Sequence, residues 1–322
     1  MLTTIGDMHI DKLEHIIPDS YKKILSTFDK VVANETALGA AAFVQLGDVF
    51  NNAYPDQIYT QAWLKSLCQL KRPIYMIPGN HDFDDPKHYA LRTTKFLCDI
   101  GFIKGRVFLK PAIEKIDGDR YFFCPHPYIV DSPPKNVRMS FGHFGYEGAR
   151  GDNGYLIKSG NAPKGRWVLG DYHTMQRGKN WAYPGSLTQC GFHEDPKKYI
   201  IRLTDKTELT RIQPKLKLGR ATINSEEDFE NLDPSVYWSV NISSKFKLPP
   251  DWAIRYPHIV RHHAEKDTSK RQRVLMQQVA SEDPFDGFRD YLLENGMSEK
   301  EADRTYKLLG ISHVQTRVSV AH

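Results

Sequence analysis

Five short segments of the chain place carboxylate, imidazole or amide side chains at the end of an apolar run, each beside a glycine. They are Gly6-Asp7-Met8-His9, Gly47-Asp48, Gly79-Asn80-His81-Asp82, Gly142-His143-Phe144 and Gly170-Asp171-Tyr172-His173. An Asp-x-His pair on an extended segment points both side chains to the same face, because strand side chains alternate with a period of two. Such a pair can grip one ion. Carboxylate, amide oxygen and imidazole together suit manganese, iron or zinc, whereas an all-oxygen set favours magnesium or calcium. One Asp-x-His or Gly-Asp arises by chance in many chains. Five such loops in order, with Gly-Asn-His-Asp among them, point to a metal centre assembled from several strands.

The elements that must position these loops are legible around them. The runs LTTIGDMH, AAAFVQLGDVF, RPIYMIPGNHD, VRMSFGHF and RWVLGDYH each open with a short apolar stretch rich in Val, Ile, Phe or Tyr, which reads as a buried strand. Residues 19–38 carry apolar positions at helical spacing after an Asp/Ser cap candidate, and residues 56–70 behave similarly. Strand–helix alternation predicts an α/β layer fold. Ligands collect at the carboxyl ends of such strands, where the glycine-polar loops fall. From about residue 181 the pattern changes: AYPGSLTQ reads as a turn, KYIIRLTD as a strand, NSEEDFENLDP as a polar connection and SVYWSVNIS as an alternating strand. We therefore divide the chain into 1–214, a smaller module at 215–275, and a terminal segment at 276–322. In the last, residues 284–310 read as two short helices split by Asn295-Gly296.

Composition narrows the class. Of 322 residues, 40% are hydrophobic and 26% charged, ordinary for a soluble globular chain with a real core. The net charge of +5 is compatible with an anionic substrate without identifying one. Cys68, Cys98, Cys124 and Cys190 form no C-x-x-C pair, so a zinc ribbon or redox dithiol is not expected, and free, mostly buried thiols of a reducing compartment are. No basic region precedes an apolar signal core, and no apolar run approaches the roughly 20 residues of a membrane span. The expectation is a cytoplasmic protein (in the host cytoplasm if phage-encoded) with no membrane association.

The series GDMH, GD, GNHD, GH and a final G-x-x-H resembles the calcineurin-like metallophosphoesterase superfamily over residues 1–200. YPGSLTQ at 183–189 and the order of modules resemble the SbcD-type nuclease subunits of DNA repair complexes, phage recombination nucleases included. That resemblance implies a four-layer α/β/β/α sandwich with a small C-terminal cap and a helical tail. It implies two divalent metal ions, with manganese expected and magnesium the alternative. Asp7, His9 and His173 would hold metal one, Asp48 would bridge, and Asn80, His143 and Asp171 would hold metal two. His81 would be the catalytic residue, reaching the substrate phosphate. Asp82 would either orient His81 or cap a helix. Two departures stand out. The family reads G-H-x-H where this chain has Gly170-Asp171-Tyr172-His173, so Asp171 either ligates, hardening the site, or leaves the second metal weakened. An acid often follows the bridging Asp by three residues, and here Asn51 stands in that place.

The implied partners are DNA, an SbcC-like ATPase and a second copy of the chain through the first helices. His126 in CPHPY is either a substrate contact or a structural loop histidine. Arg255, Arg261, His262, His263, Lys266, Lys270, Arg271 and Arg273, with Lys215, Lys217 and Arg220, form either a phosphate-contacting face or a solvated surface. Phe285, Phe288, Tyr291, Leu292 and Leu293 share one helical face that could dock a partner or pack on the chain's own core. The overall expectation is a metal-dependent DNA nuclease subunit. The alternatives are a phosphoprotein phosphatase or nucleotide phosphodiesterase, and a non-catalytic DNA-end-binding subunit.

Overall fold

The computed structural model describes residues 1–158 and 161–264. The first half is β1 (Leu2–Ile5), α1 (Ser20–Ala37), β2 (Ala42–Gln45), α2 (Gln57–Cys68), β3 (Ile74–Met76), the small hairpin β4 (Phe83–Asp85) and β5 (His88–Tyr89), α3 (Arg92–Asp99) and β6 (Gly105–Val107). Then come β7 (Ala112–Ile116), β8 (Asp119–Cys124), β9 (Met139–His143), β10 (Trp167–Gly170), β11 (Gln176–Arg177), β12 (Trp181–Tyr183), β13 (Lys198–Leu203) and β14 (Thr207–Ile212). Last are β15 (Leu218–Ile223), α4 (Glu226–Glu230), β16 (Tyr237–Ile242), α5 (Trp252–Arg255) and β17 (Ile259–Ala264). Two six-stranded sheets run β14-β13-β1-β2-β3-β6 and β11-β12-β10-β9-β8-β7. In the first, β1, β2, β3 and β6 are parallel, and in the second so are β8, β9, β10 and β12.

Neighbouring residues on one strand serve different layers. On β2, Phe43 joins the helix-facing core with Phe28 of α1 and Trp63 of α2, whereas Ala42 and Val44 join the core between the sheets with Phe123, Phe141 and Val168. On β10, Val168 points to the inter-sheet core while Trp167 and Leu169 point outward. Strands buried on both faces read as continuous apolar runs, as these do. The outer layer on the second sheet is built, among the described residues, by loops: Val130, Val137, Tyr146 and Ala149 close over Phe122, Trp167 and Tyr183.

Helix α1 carries its apolar stripe at Ile24, Leu25, Phe28, Val31 and Val32. Its start corrects the expected cap: Asp19 has φ 62° and makes no side-chain cap bond. Glu14 caps instead, its carboxylate accepting from Asp19 N at 2.6 Å and Ser20 Oγ at 3.0 Å.

Strands β15, β16 and β17 form a separate three-stranded sheet with its own core of Ile223, Phe229, Val240, Ile242, Tyr256 and Ile259. Buried Gln189 clasps its first residue, accepting from Leu218 N at 2.9 Å and donating to Leu218 O at 3.1 Å. The terminal helices expected within 276–322, and Lys266, Lys270, Arg271 and Arg273, lie outside the described residues. All four cysteines are free, three of them buried. Among the described residues no helix is long and apolar enough to cross a membrane.

Candidate metal centre

Parallel register brings the loops together. Ile5 sits level with Gln45, Gln45 with Met76, and Gly170 with His143. The loops leaving β1, β2 and β3 therefore emerge beside one another, facing those that leave β9 and β10. Glycine is demanded where they touch. Gly47 has φ 104°, and a Cβ there would overlap the His143 ring, as one at Gly79 would overlap the Asp48 carboxylate.

Around His9 the donors gather at one point. His9 Nε2 lies 3.1 Å from His173 Nε2 and 3.6 Å from Asp48 Oδ2, and Asp7 Oδ2 lies 3.9 Å from His173 Nε2. A second group gathers around His143 Nε2, with Asn80 Oδ1 at 2.9 Å, Asp48 Oδ2 at 3.4 Å and Asp171 Oδ1 at 4.0 Å. Asp48 Oδ2 belongs to both groups. Asp7 and His9 reach the site by a different route from the extended pair expected. His9 has φ 44°, and the backbone N–H groups of Met8 and His9 both donate to Asp48 O, so the segment is a turn pinned to its neighbour.

The electrostatics call for positive charge. Burial pushes the Asp7 carboxyl up to about 8. Burial also raises Asp171, with His143 opposing. For Asp48, burial is outweighed by His143 and His9, and the pKa falls well below the usual carboxylate range. His143 answers in kind: burial works against its charged form, yet Asp48 and Asp7 hold its pKa well above the usual imidazole value. His9 goes the other way, lowered chiefly by burial.

The residues fit divalent ions. Two imidazole nitrogens facing each other at 3.1 Å are at the spacing of neighbouring ligands around one ion with bonds of about 2.1 Å. His143 Nδ1 donates to Leu46 O at 2.7 Å and His173 Nδ1 to Glu194 Oε1 at 2.8 Å, which leaves each Nε2 free as a ligand. Asp7, His9, His173 and Asp48 would hold one ion, and Asp48, Asn80, His143 and Asp171 the other. His81 stands exposed at the edge: its backbone N donates to Asp48 Oδ1 at 2.9 Å, its Nδ1 donates to Asn51 O at 3.0 Å, and its ring centroid is 4.9 Å from that of His9.

Several supports escaped the sequence reading. Asp82 neither orients His81 nor caps a helix. It is buried, and its carboxylate accepts from Val49 N, Phe50 N and Gly79 N at 2.9–3.2 Å, stapling the second and third loops together. At Asn51 the backbone carbonyl takes over the orienting task on His81, and Asp11 holds that backbone through Asn51 N at 2.6 Å. Glu194, Asp152 and Lys198 surround His173. Asp152 Oδ1 accepts from His173 N at 2.9 Å, and buried Lys198 Nζ donates to Glu194 Oε2 at 2.9 Å and Ser186 Oγ at 2.7 Å. Burial would raise the Glu194 carboxyl, but the His173 and Lys198 contacts hold it down at about 2. Their only sequence signal is the i, i+4 pairing of Glu194 with Lys198, common on any surface. Half-buried His126 lies on the loop beside Pro78, its N donating to Pro78 O at 3.2 Å.

A metal-dependent phosphoester hydrolase is the class that this sandwich and donor set define. Residues 2–202 match the family model of the calcineurin-like phosphoesterases, and the chain belongs to that family. Among solved structures, the protein TT1561 of Thermus thermophilus is 12% identical with a TM-score of 0.41, the match covering 66% of this chain and 98% of that one. The Aquifex aeolicus protein of unknown function AQ665 is 15% identical with a TM-score of 0.24, covering 44% and 76%. None of the curated proteins matches the chain significantly.

Single substitutions in the donor set and its supports test this geometry. Glu194→Ala removes the acceptor of His173 Nδ1 and strands Lys198, so manganese affinity should fall about 10–100-fold and stability by about 3–5 kcal/mol. Titration calorimetry with manganese on the folded variant checks this, and unchanged affinity would show that Glu194 does not position His173. Asp171→Ala should lower bound metal from two toward one per chain by elemental analysis, and Asp171→His should restore it. Two metals retained in the alanine variant would make Asp171 a bystander.

Proposed function

We propose that the chain is the nuclease subunit of a DNA-processing complex, cleaving phosphodiester bonds at the paired-metal site. The observation that carries the reading is the single carboxylate, Asp48, shared by two donor groups with exposed His81 at their edge. A divalent pair, when bound, supplies Lewis acidity toward the phosphate oxygens and a lowered pKa for the attacking water. The chain's own groups do the rest. Asp48 is fixed by His81 N, so its second oxygen stays between His9 and His143. With Nδ1–H committed to Asn51 O, His81 presents Nε2 to the substrate, to hydrogen-bond the phosphate or to protonate the leaving oxygen. Asn80, exposed and 2.9 Å from His143 Nε2, lines the entrance with it.

DNA as substrate is supported by the module that follows the sandwich. Lys215, Lys217, Arg220, Lys245, Lys247 and Arg261 are exposed on or beside the three-stranded sheet, where sequence-independent phosphate contacts are made by such groups. Arg255 is less available, being paired with Glu226. A phosphatase acting on phosphoproteins or a phosphodiesterase acting on small nucleotides is the competing reading, since the same metal site serves all three chemistries.

End-labelled duplex DNA, a phosphopeptide and a cyclic nucleotide, each with manganese or magnesium and with EDTA, separate these readings. We expect degradation of the duplex, faster with manganese and abolished by EDTA. His81→Ala should keep two metals and lose roughly 10²–10⁴-fold in rate, whereas Asp48→Ala should lose both metal and activity. Hydrolysis of the phosphopeptide or cyclic nucleotide but not of DNA would overturn the nuclease assignment.

The ATPase partnership belongs to the same proposal and rests on sequence spacing alone. Residues 276–322 would supply the docking helices, with Phe285, Phe288, Tyr291 and Leu292 on the first and Tyr306, Leu308 and Leu309 on the second. Truncation at residue 275 should preserve hydrolysis of short substrates and abolish co-elution with an SbcC-like ATPase. Co-elution unchanged by the truncation would place docking elsewhere.

A further inference from the structure

The metal ligands occupy the carboxyl ends of β9 and β10. The opposite ends of the same two strands border a groove of about 350 Å³. Two hairpin tips, one from each large sheet, form its walls. The tip between β11 and β12 carries Lys179 and Asn180 and is closed by Gly178 N donating to Trp181 O at 2.9 Å. It is pinned to β10 by Trp167 N donating to Asn180 O at 2.8 Å. The tip between β13 and β14 carries Asp205 and Lys206, with Thr204 N donating to Lys206 O at 3.0 Å. Arg166 spans the gap, its Nη2 donating to Thr207 Oγ1 at 3.3 Å. The backbone positions of these side chains are thus fixed by turns rather than left to loose loops.

The groove is strongly cationic. Arg166, Arg177, Lys179 and Lys206 all line it and are exposed, and among the described residues none of them makes an ion pair. The one carboxylate on the lining, Asp205, already faces Arg138 Nη2 at 4.0 Å. The floor is apolar, made of Met139, Trp167 and Ala182, and half-buried Trp181 stands at the side. Cations over an apolar floor with an indole alongside are the combination that tracks a nucleic-acid backbone without reading its sequence.

We propose that this groove is a second contact for the phosphodiester backbone of DNA, distinct from the metal centre and about 13 Å along β9 and β10 from it at 3.3 Å per residue. The proposal rests on the nuclease reading and adds a length requirement to it. A substrate long enough to lie on both ends of these strands gains the extra phosphate contacts, and a minimal diester at the metal centre does not.

The test is anisotropy titration of a labelled duplex against full-length protein in EDTA, so that nothing is cleaved, over a range of salt. Arg177→Gln/Lys179→Gln should weaken binding on the order of ten-fold and lower the slope of log affinity against log salt by about 2, one for each lost phosphate contact. Lys206→Gln, on the other tip, should lower it by about 1. Manganese-dependent hydrolysis of bis(4-nitrophenyl) phosphate and the thermal melting curve should match wild type in both variants. Inorganic tripolyphosphate as competitor separates the two sources of a phosphate ligand: competition at concentrations comparable to those of DNA phosphate would reassign the groove to a small polyphosphate. If wild type binds DNA and the variants bind it with the same affinity and salt slope, the groove is not a DNA contact, and an acidic protein segment becomes its better occupant. If wild type binds no DNA, the nuclease reading itself falls, and this inference with it.

Discussion

Asp7 and Asp48 are buried within reach of Asp171, so like charges face each other where water cannot screen them. Desolvation alone makes such a cluster costly, and like-charge repulsion adds to the cost. In this structure the imidazoles of His143 and His173 supply the compensating charge, His143 most of all. Divalent ions, shared through Asp48, would take over that role, displacing the Nε2 proton of each imidazole and leaving it a neutral ligand. Much else in the sandwich can be understood as holding this cluster together. The parallel register aligns the strand ends, the glycines let the loops touch, and the buried acids Asp82 and Glu194 tie the loops and ligands from behind.

Those supporting contacts also join the site to the rest of the molecule. The segment following β12 is hydrogen-bonded to two members of the first donor group. Leu187 N donates to Asp7 O at 2.8 Å, Ser186 N to His173 O at 3.1 Å, and Gln189 clasps the start of β15. Asp7, His173 and the three-stranded sheet are therefore linked through four consecutive residues, Ser186 to Gln189. The three-stranded module is in this way mechanically coupled to the first donor group, through hydrogen bonds that are buried and hence costly to break.

How far the sequence reaches is clearest at particular residues. The apolar runs ending in Gly6, Gly47, Gly79, Gly142 and Gly170 disclosed strands and loops together, because a strand buried on both faces leaves an uninterrupted apolar record and a tight strand end demands glycine. The donor types in those loops disclosed a candidate metal centre. The direction of approach was less legible: His9 arrives through a left-handed turn held by Asp48 O, a conformation that no local pattern of Asp7-Met8-His9 announces. Glu14 was hidden too, since it caps α1 from outside the helix while the expected cap, Asp19, turns away.

By itself, then, the sequence determined the α/β class, the strands that end in chemistry and the residue types available for metal. Those properties are local, written in period-two and helical spacing and in the conformational freedom of glycine. Only the tertiary structure decided which donors meet, and that Asp48 stands between two groups of them. It alone showed that Glu194, 21 residues from His173 along the chain, takes the Nδ1 hydrogen bond of that imidazole, and that Asp82 staples two loops instead of serving His81. These are long-range hydrogen bonds, whose partners are chosen by how sheets stack and register, and no spacing along the chain encodes that choice.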